Sequence, residues 1–317
     1  MSGTQTRLQH RQGRRTGFQH EALFYLGDHD FLEGAGTFVQ GALDAGEPVM
    51  VALLPDKIAQ LRGQLGVDAE RVGFVDMVEF GRNPGRIIPA WRRFVERNRE
   101  APALRGIGEP TWPGRSPAEL TECQRHESLL NDAFAGARPW WLLCLYDVAA
   151  LSPEILEGAR RTHPFVREQG KSLPSATFGS SSWIFDGPLP QPAAVAGSVE
   201  FDGSSLRAAR ATLSRWAAET LPAGKAADLM LAAHEAAANS VRHGGGRGML
   251  RYWQDPSTAV VEVWDPGRIH RLLAGRELPS IDDEMGRGLW LAHQLCDLVQ
   301  VRSSPEGTVV RLHMARR

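Results

Sequence analysis

Apolar and polar positions change their period along this chain, and the changes mark out two kinds of architecture. Between Phe18 and about Phe178, short apolar runs alternate with stretches of helical spacing. Leu23–Leu26, Pro48–Leu54, Val72–Met77, Leu104–Gly108 and Trp140–Asp147 read as buried strands. Asp30–Asp44, a stretch opened by Pro55, Gly85–Arg99 and Pro117–Phe134 read as helices, the last capped by Ser116, and Ser152 caps another. Within Gly85–Arg99 the apolar residues Ile88, Trp91, Phe94 and Val95 recur at helical spacing. Such alternation predicts an α/β unit, with a mostly parallel sheet covered by helices on both faces.

The pattern then collapses. Residues 179–197 are rich in Pro, Gly and Ser and predict a linker, semi-extended in its proline-rich part. Beyond it, Ser198–Asp202 reads as a strand and Ser204–Leu221 as an amphipathic helix capped by Ser204 or Ser205. Ala226–His243 follows as a long Ala-rich helix. Gly248–Gln254 and Thr258–Trp264 read as a hairpin, Gly286–Val299 as a helix and Gly307–Met314 as a final strand. That order predicts an α+β sandwich. The expected division is a disordered basic arm at 1–17, an α/β unit at 18–178, the linker at 179–197 and the sandwich at 198–317.

Composition narrows the function classes. The 317 residues can bury two cores, and a formal charge of −1 offers no global attraction to nucleic acid or anionic membrane. No direct nucleic-acid role is expected from a short arm bearing Arg7, Arg11, Arg14 and Arg15. No apolar run approaches the roughly 18–20 residues of a membrane span, and the first residues lack the apolar core of a secretory signal. Cys123, Cys144 and Cys296 are widely spaced and form no CxxC pair, so reduced thiols in a cytoplasmic protein are expected.

The chemistry concentrates between His234 and Thr308. Glu235, Asn239 and His243 stand four residues apart and share one helix face. Glu235 suits a general base, and Asn239 offers an amide oxygen to Mg²⁺, which needs few protein oxygens. Asp265 ends a strand before Pro266-Gly267, where a carboxylate can accept from an adenine amino group. Gly286-Arg287-Gly288 opens a helix whose N–H groups can face phosphate, with Arg287 as a partner for charge. Gly307-Thr308 enters the last strand. Taken singly, these pieces also suit a solvated polar stripe, an Asp-Pro-Gly turn and a flexible helix start.

Joined in this order, they resemble the Bergerat-fold (GHKL) ATPases, and among them the RsbW/SpoIIAB-like anti-sigma serine kinases. The detailed match is ExxxN with a histidine four residues on. The resemblance covers residues 198–317 and implies ATP and Mg²⁺ as cofactors. It implies Glu235 as catalytic base, Asn239 as the Mg²⁺ ligand, and Asp265 on adenine. Gly267, Gly286 and Gly288 then shape the pocket, Thr308 lies near the base, and Arg268–Met285 forms the lid. One departure stands out: the family's Asp-x-Gly-x-Gly is here Asp265-Pro-Gly-Arg-Ile269. Ile269 stiffens the start of the lid, which bears on affinity and turnover more than on fold.

The first unit resembles the MEDS (DcmR-type) sensory domain of RsbA-like regulators. The likeness rests on His20 through FYLGDHDFL, on GEPVMVALLP, on GEPTWPGRSPAELTECQRHESLLNDAF and on WWLLCLYD. Its sheet resembles RecA-like folds, but no GxxxxGK[ST] follows the first strand, so no second P-loop site is expected. His20, Glu109, Arg115, His126, Tyr146, Asp147 and His163 are expected near strand ends, as candidates for a small-molecule pocket. Their spacing fits no strong zinc motif.

The resemblance therefore implies an ATP-dependent serine/threonine kinase-like switch. Its partners would be a sigma factor or a STAS-type anti-sigma-factor antagonist, and a homodimer is among the states implied. Two alternatives stay open: a sensor histidine kinase, though Ser204–Leu221 carries no histidine for phosphate acceptance, and a non-catalytic nucleotide-binding adaptor.

Overall fold

The computed structural model describes residues 17–168, 170–179, 187–279 and 287–317. The expected basic arm lies outside the described residues except for Gly17, as do Gly286, most of the linker's first half and the end of the expected lid.

The first unit is a seven-stranded sheet. Its elements run β1 (Phe18–Tyr25), α1 (Gly27–Asp44), β2 (Val49–Leu53), α2 (Pro55–Leu65), β3 (Gly73–Asp76), α3 (Met77–Phe80), α4 (Ile87–Arg97), β4 (Leu104–Gly108) and α5 (Pro117–Ala133). They continue with β5 (Trp140–Asp147), α6 (Pro153–Thr162), β6 (Phe165–Glu168) and β7 (Lys171–Pro174). The order is β3-β2-β4-β5-β1-β6-β7, parallel throughout except for β7, which turns back along β6.

Side-chain alternation divides the sheet's two cores. Trp141, Leu143 and Leu145 pack with Phe31, Phe38 and Val39 of α1 and Leu61 of α2. Leu142, Cys144 and Tyr146 point the other way, to Ile88 and Trp91 of α4, Leu129 and Leu130 of α5 and Ala159 of α6. Each buried side chain of this size contributes about 1.5–3 kcal/mol. A one-residue slip would exchange the faces, so the register is held by both layers. Ser116 closes a full capping box with Glu119 at the start of α5.

The second unit holds β8 (Gly197–Asp202), α7 (Leu206–Thr220), α8 (Ala223–His243), β9 (Arg247–Gln254), β10 (Thr258–Asp265), α9 (Arg287–Leu295), β11 (Leu298–Ser304) and β12 (Gly307–Ala315). Its antiparallel sheet has the order β11-β12-β10-β9-β8. One face packs under the three helices through Leu229, Ala233, Ala237, Val261, Leu289 and Leu312. Alanines along α8 let that helix lie close to the sheet. On the opposite face Glu262 ion-pairs with Arg251 and Arg311, its partners on the neighbouring strands. Part of the expected linker lies on this face: Leu189 is buried, and Arg311 donates to the Pro190 carbonyl at 2.9 Å.

Several expectations need correction. The helix expected over Gly286–Val299 stops at Leu295, and Leu298–Ser304 is a strand paired with β12. The β6–β7 hairpin falls where no strand was expected. Ser152 and Ser205 occupy N-cap positions without capping through their side chains. At the start of α7 the carboxylate of Asp202 instead accepts from the backbone N–H groups of Ser204 and Ser205. Among the described residues, no helix is long and apolar enough to cross a membrane.

Among the contacts that join the units, two engage fully buried polar side chains, Glu122 and Asn83. Glu122 of α5, fully buried, accepts from Arg276 at 2.8 Å and from Arg302 of β11 at 2.7 Å. The other contact caps a helix end. Helices leave their last carbonyls without internal donors. Here Asn83 donates to the carbonyls of His293 and Cys296 at 3.1 and 3.2 Å. Arg86 donates to those of His293 and Gln294, each at 2.7 Å. The backbone comes so near that a Cβ on Gly85 would meet His293 Nδ1 at 2.0 Å.

Burial alone would raise the pKa of Glu122, but the guanidiniums of Arg125, Arg302 and Arg276 outweigh it and hold the group below 4.5. Removing one partner of such a buried cluster typically costs about 3–5 kcal/mol. Chemical denaturation of Glu122→Gln should register a loss of that order. A depressed carboxylate stabilises the fold above its unfolded pKa. The stability lost in that variant should therefore be full at neutral pH and shrink as pH falls below 4.5 through the lowered value.

Candidate functional site

The site forms where α8 crosses the ends of β10 and β12. Along β10 the side chains of Val261, Val263 and Asp265 face the helices, since strand residues alternate sides. Asp265 pairs with Thr308 across the ladder. Strand period thus delivers a carboxylate and a hydroxyl to the same place beneath α8.

Asp265 is nearly buried, and two groups fix its carboxylate. Ser240 donates its hydroxyl to Oδ2 at 2.7 Å, and the N–H of Gly267 donates to Oδ1 at 2.8 Å. An ionised carboxylate has more lone pairs than two donors use, so it can accept one more hydrogen bond from a ligand. Thr308 Oγ1 donates to the Gly267 carbonyl at 2.9 Å, and Ser303 Oγ lies 2.9 Å from Thr308 Oγ1. The N–H of Ile269 donates to Ser303 Oγ, also at 2.9 Å. Where the family pattern has its second glycine, this chain therefore has a backbone tied to β11, with the Ile269 side chain packed on the core.

Asn239, His243, Asp265, Gly267, Ile269 and Thr308 line one small cavity. Arg242 donates to Asn239 Oδ1 at 3.3 Å from the exposed side. Glu235 is half-buried one turn earlier and does not line that cavity. It stands beside Gly288 of α9: a Cβ there would lie 3.0 Å from both Glu235 Oε2 and Asn239 Nδ2. Glycine at 288 lets the start of α9 approach the polar face of α8. Arg287 begins α9, and Gly286 lies outside the described residues.

The lid expected to start at Arg268 is held where it is described. Arg276 reaches Glu122, and Glu277 ion-pairs with Arg92 of α4 at 2.7 Å. Ser240 and Ser303 escaped the sequence reading. A serine inside the alanine stripe of α8 was the signal for the first, because a buried hydroxyl needs a partner. Ser303 had none, since the sequence reading places no strand between Val299 and Gly307.

The seven candidates of the first unit do not line one crevice. His20, Tyr146 and His163 meet in the core beneath α5, with the His163 ring 4.0 Å from that of His20 and 5.6 Å from that of Tyr146. Glu109 lies apart with Tyr25, whose hydroxyl donates to it at 2.8 Å, and with Lys57. Burial pushes the Glu109 carboxyl up, against the pull of Lys57. Arg115 is spent on the carbonyls of Pro110 and Gly81. Asp147 accepts from the Ala149 N–H, and burial pushes His126 down to about 3.

A family model described as the MEthanogen/methylotroph, DcmR Sensory domain (MEDS) matches residues 19–164. One described as a histidine kinase-like ATPase domain matches residues 199–314. Curated proteins give no match. Among solved structures, the RsbU and RsbW domains of Rv1364c from Mycobacterium tuberculosis align at 20% identity and a TM-score of 0.29. The alignment covers 38% of this chain and 33% of that one, so the chain spans about a third of that structure's length. The two family models fall on the two sheets in turn, and the chain joins a MEDS-type sensory domain to a histidine kinase-like ATPase domain.

Proposed function

We propose that the chain is an ATP-dependent regulator of the anti-sigma type. Its second domain binds MgATP and transfers phosphate to a serine or threonine of an anti-sigma-factor antagonist, or sequesters a sigma factor, under control of the first. The supporting observation is the convergence of Asn239, His243, Asp265, Gly267 and Thr308 on one cavity, with Gly288 seated against Glu235.

The residues suit their roles chemically. Asp265, oriented by Ser240 and Gly267, accepts from the adenine amino group, and Thr308 holds the Gly267 carbonyl at the pocket edge. The donor set suits Mg²⁺, because one amide oxygen from Asn239 leaves the other positions to phosphate and water. When bound, the ion would neutralise charge on the phosphates. Gly286, Arg287 and Gly288 would bring a helix start and a guanidinium to the phosphates. Glu235 would take the proton of the attacking hydroxyl.

Control from the first domain runs through α9 and the lid. Asn83 and Arg86 grip the last carbonyls of the helix whose first turn faces the phosphate site. Glu122 holds Arg276 of the lid. A signal that shifts α4 or α5 therefore acts on both ends of the nucleotide site.

A non-catalytic adaptor remains the second reading, favoured by the tethered Ile269 N–H and by Glu235 standing outside the cavity. Calorimetric titration of the full chain with MgATP should give Mg²⁺-dependent binding, weakened about tenfold or more, ~1.4 kcal/mol, in Asn239→Ala. Glu235→Ala should keep that affinity. With a cognate antagonist supplied, it should transfer phosphate about 10²–10⁴-fold more slowly than the wild type. Binding without transfer in the wild type itself would select the adaptor.

A further inference from the structure

We propose that the MEDS domain holds one divalent transition-metal ion, of the zinc class, between His20, Glu127, Cys144 and His163. The four residues come from β1, α5, β5 and the turn after α6, and each is at most 1% exposed. Their donor atoms all lie within 4.8 Å of one another. His20 Nε2 is 3.0 Å and His163 Nε2 is 3.2 Å from Glu127 Oε2, and Cys144 Sγ is 3.4 Å from His20 Nε2. Ligands bound at about 2.0–2.3 Å around a tetrahedral ion stand roughly 3.3–3.7 Å apart. These three separations lie within a few tenths of an ångström of that spacing, and the other pairs stay within 4.8 Å.

Hydrogen bonding on the far side of each ring separates a metal site from an ordinary polar cluster. Asn131 donates its amide to the carbonyls of Ser128 and Thr162, which turns its Oδ1 toward His20 Nδ1 at 3.1 Å. His163 Nδ1 lies 2.8 Å from the Ala159 carbonyl. These oxygens accept only, so both Nδ1 atoms carry the proton; the Thr162 hydroxyl, 3.1 Å from His163 Nδ1, turns its own proton to the Gly158 or Ala159 carbonyl. With the proton on Nδ1, an uncharged ring presents the bare lone pair of Nε2 to Glu127, an acceptor facing an acceptor. A cation between them removes the conflict, and an Nδ1–H bound to a carbonyl or amide oxygen is the usual support of a ligating histidine.

Charge agrees with this. A thiolate and a carboxylate balance a divalent ion, and two neutral imidazoles complete four ligands in an electroneutral buried site. Glu127 Oε1 has no hydrogen-bond partner despite its burial, which leaves it available to the same ion. The mixed nitrogen, sulfur and oxygen set suits Zn²⁺, and with four protein ligands the site is closed and not catalytic. Successive ligands lie 17 to 107 residues apart in sequence, at positions 20, 127, 144 and 163, so no local motif announces them. This proposal does not depend on the nucleotide site.

The test is elemental analysis of the full chain purified after growth with zinc, together with Co²⁺ titration of the chelator-stripped protein. About one equivalent of metal per chain is expected, falling at least tenfold in Cys144→Ala and in His163→Gln. Co²⁺ should give a thiolate-to-metal charge-transfer band and the visible bands of a tetrahedral ion in the wild type. That spectrum requires no variant to fold. A wild type that retains no metal and gives no such spectrum overturns the proposal. So does metal that persists undiminished in folded variants, since it would then sit elsewhere, for example at the exposed His29, Asp30 and Glu33.

Discussion

Glu122 carries the only carboxylate that the described ion pairs place in contact with Arg125, Arg276 and Arg302 together. Taking a carboxylate out of water costs several kcal/mol unless geometry and charge compensate. Here compensation comes from three directions: its own helix, the segment after β10 and the strand β11. Helix α5 cannot tilt or slide without uncovering buried guanidiniums. The cluster therefore fixes α5 against the segment that carries Arg276 and against β11.

The same helix carries Glu127, five residues further on, into the cluster with His20, Cys144 and His163. Events in the core of the MEDS domain thus bear on a rigid element whose other face holds the ATPase domain. The second handle is the capping of α9 by Asn83 and Arg86. A helix C-terminus capped by a different domain is an exchangeable contact, because solvent can supply the same hydrogen bonds at modest net cost. Coupling of this kind needs only that the two domains meet differently in two states.

Much of this was legible in the residues. Strand and helix periods place the parallel sheet; Asn239 of the ExxxN helix, the Asp-Pro-Gly turn and the late threonine line one cavity, while Glu235 stands outside it. Period-2 alternation is the reason Asp265 and Thr308 meet: both are paired strand ends on the same face. What stayed hidden depends on distant partners. Strand β11 follows a helix without a break signal, and α9 stops where Asn83 and Arg86 take its carbonyls, more than 200 residues away in sequence. Seven polar residues expected in one crevice divide into separate groups, because the period of a strand tells which side a residue faces but not which helix covers it. The Glu122 cluster had no sequence signal, since an acidic residue on a helix ordinarily implies solvent.

The central claim is that the sensory domain sets the state of the nucleotide site through contacts at α9 and the lid. The most direct measurement is the MgATP affinity of Arg86→Ala against the wild type, with the fold of both checked by denaturation. The account predicts a change of about 5–150-fold, the usual range of coupling between sites, in a variant whose altered residue is remote from the nucleotide cavity. Equal affinities in two folded proteins would contradict it and reduce the domain contact to packing.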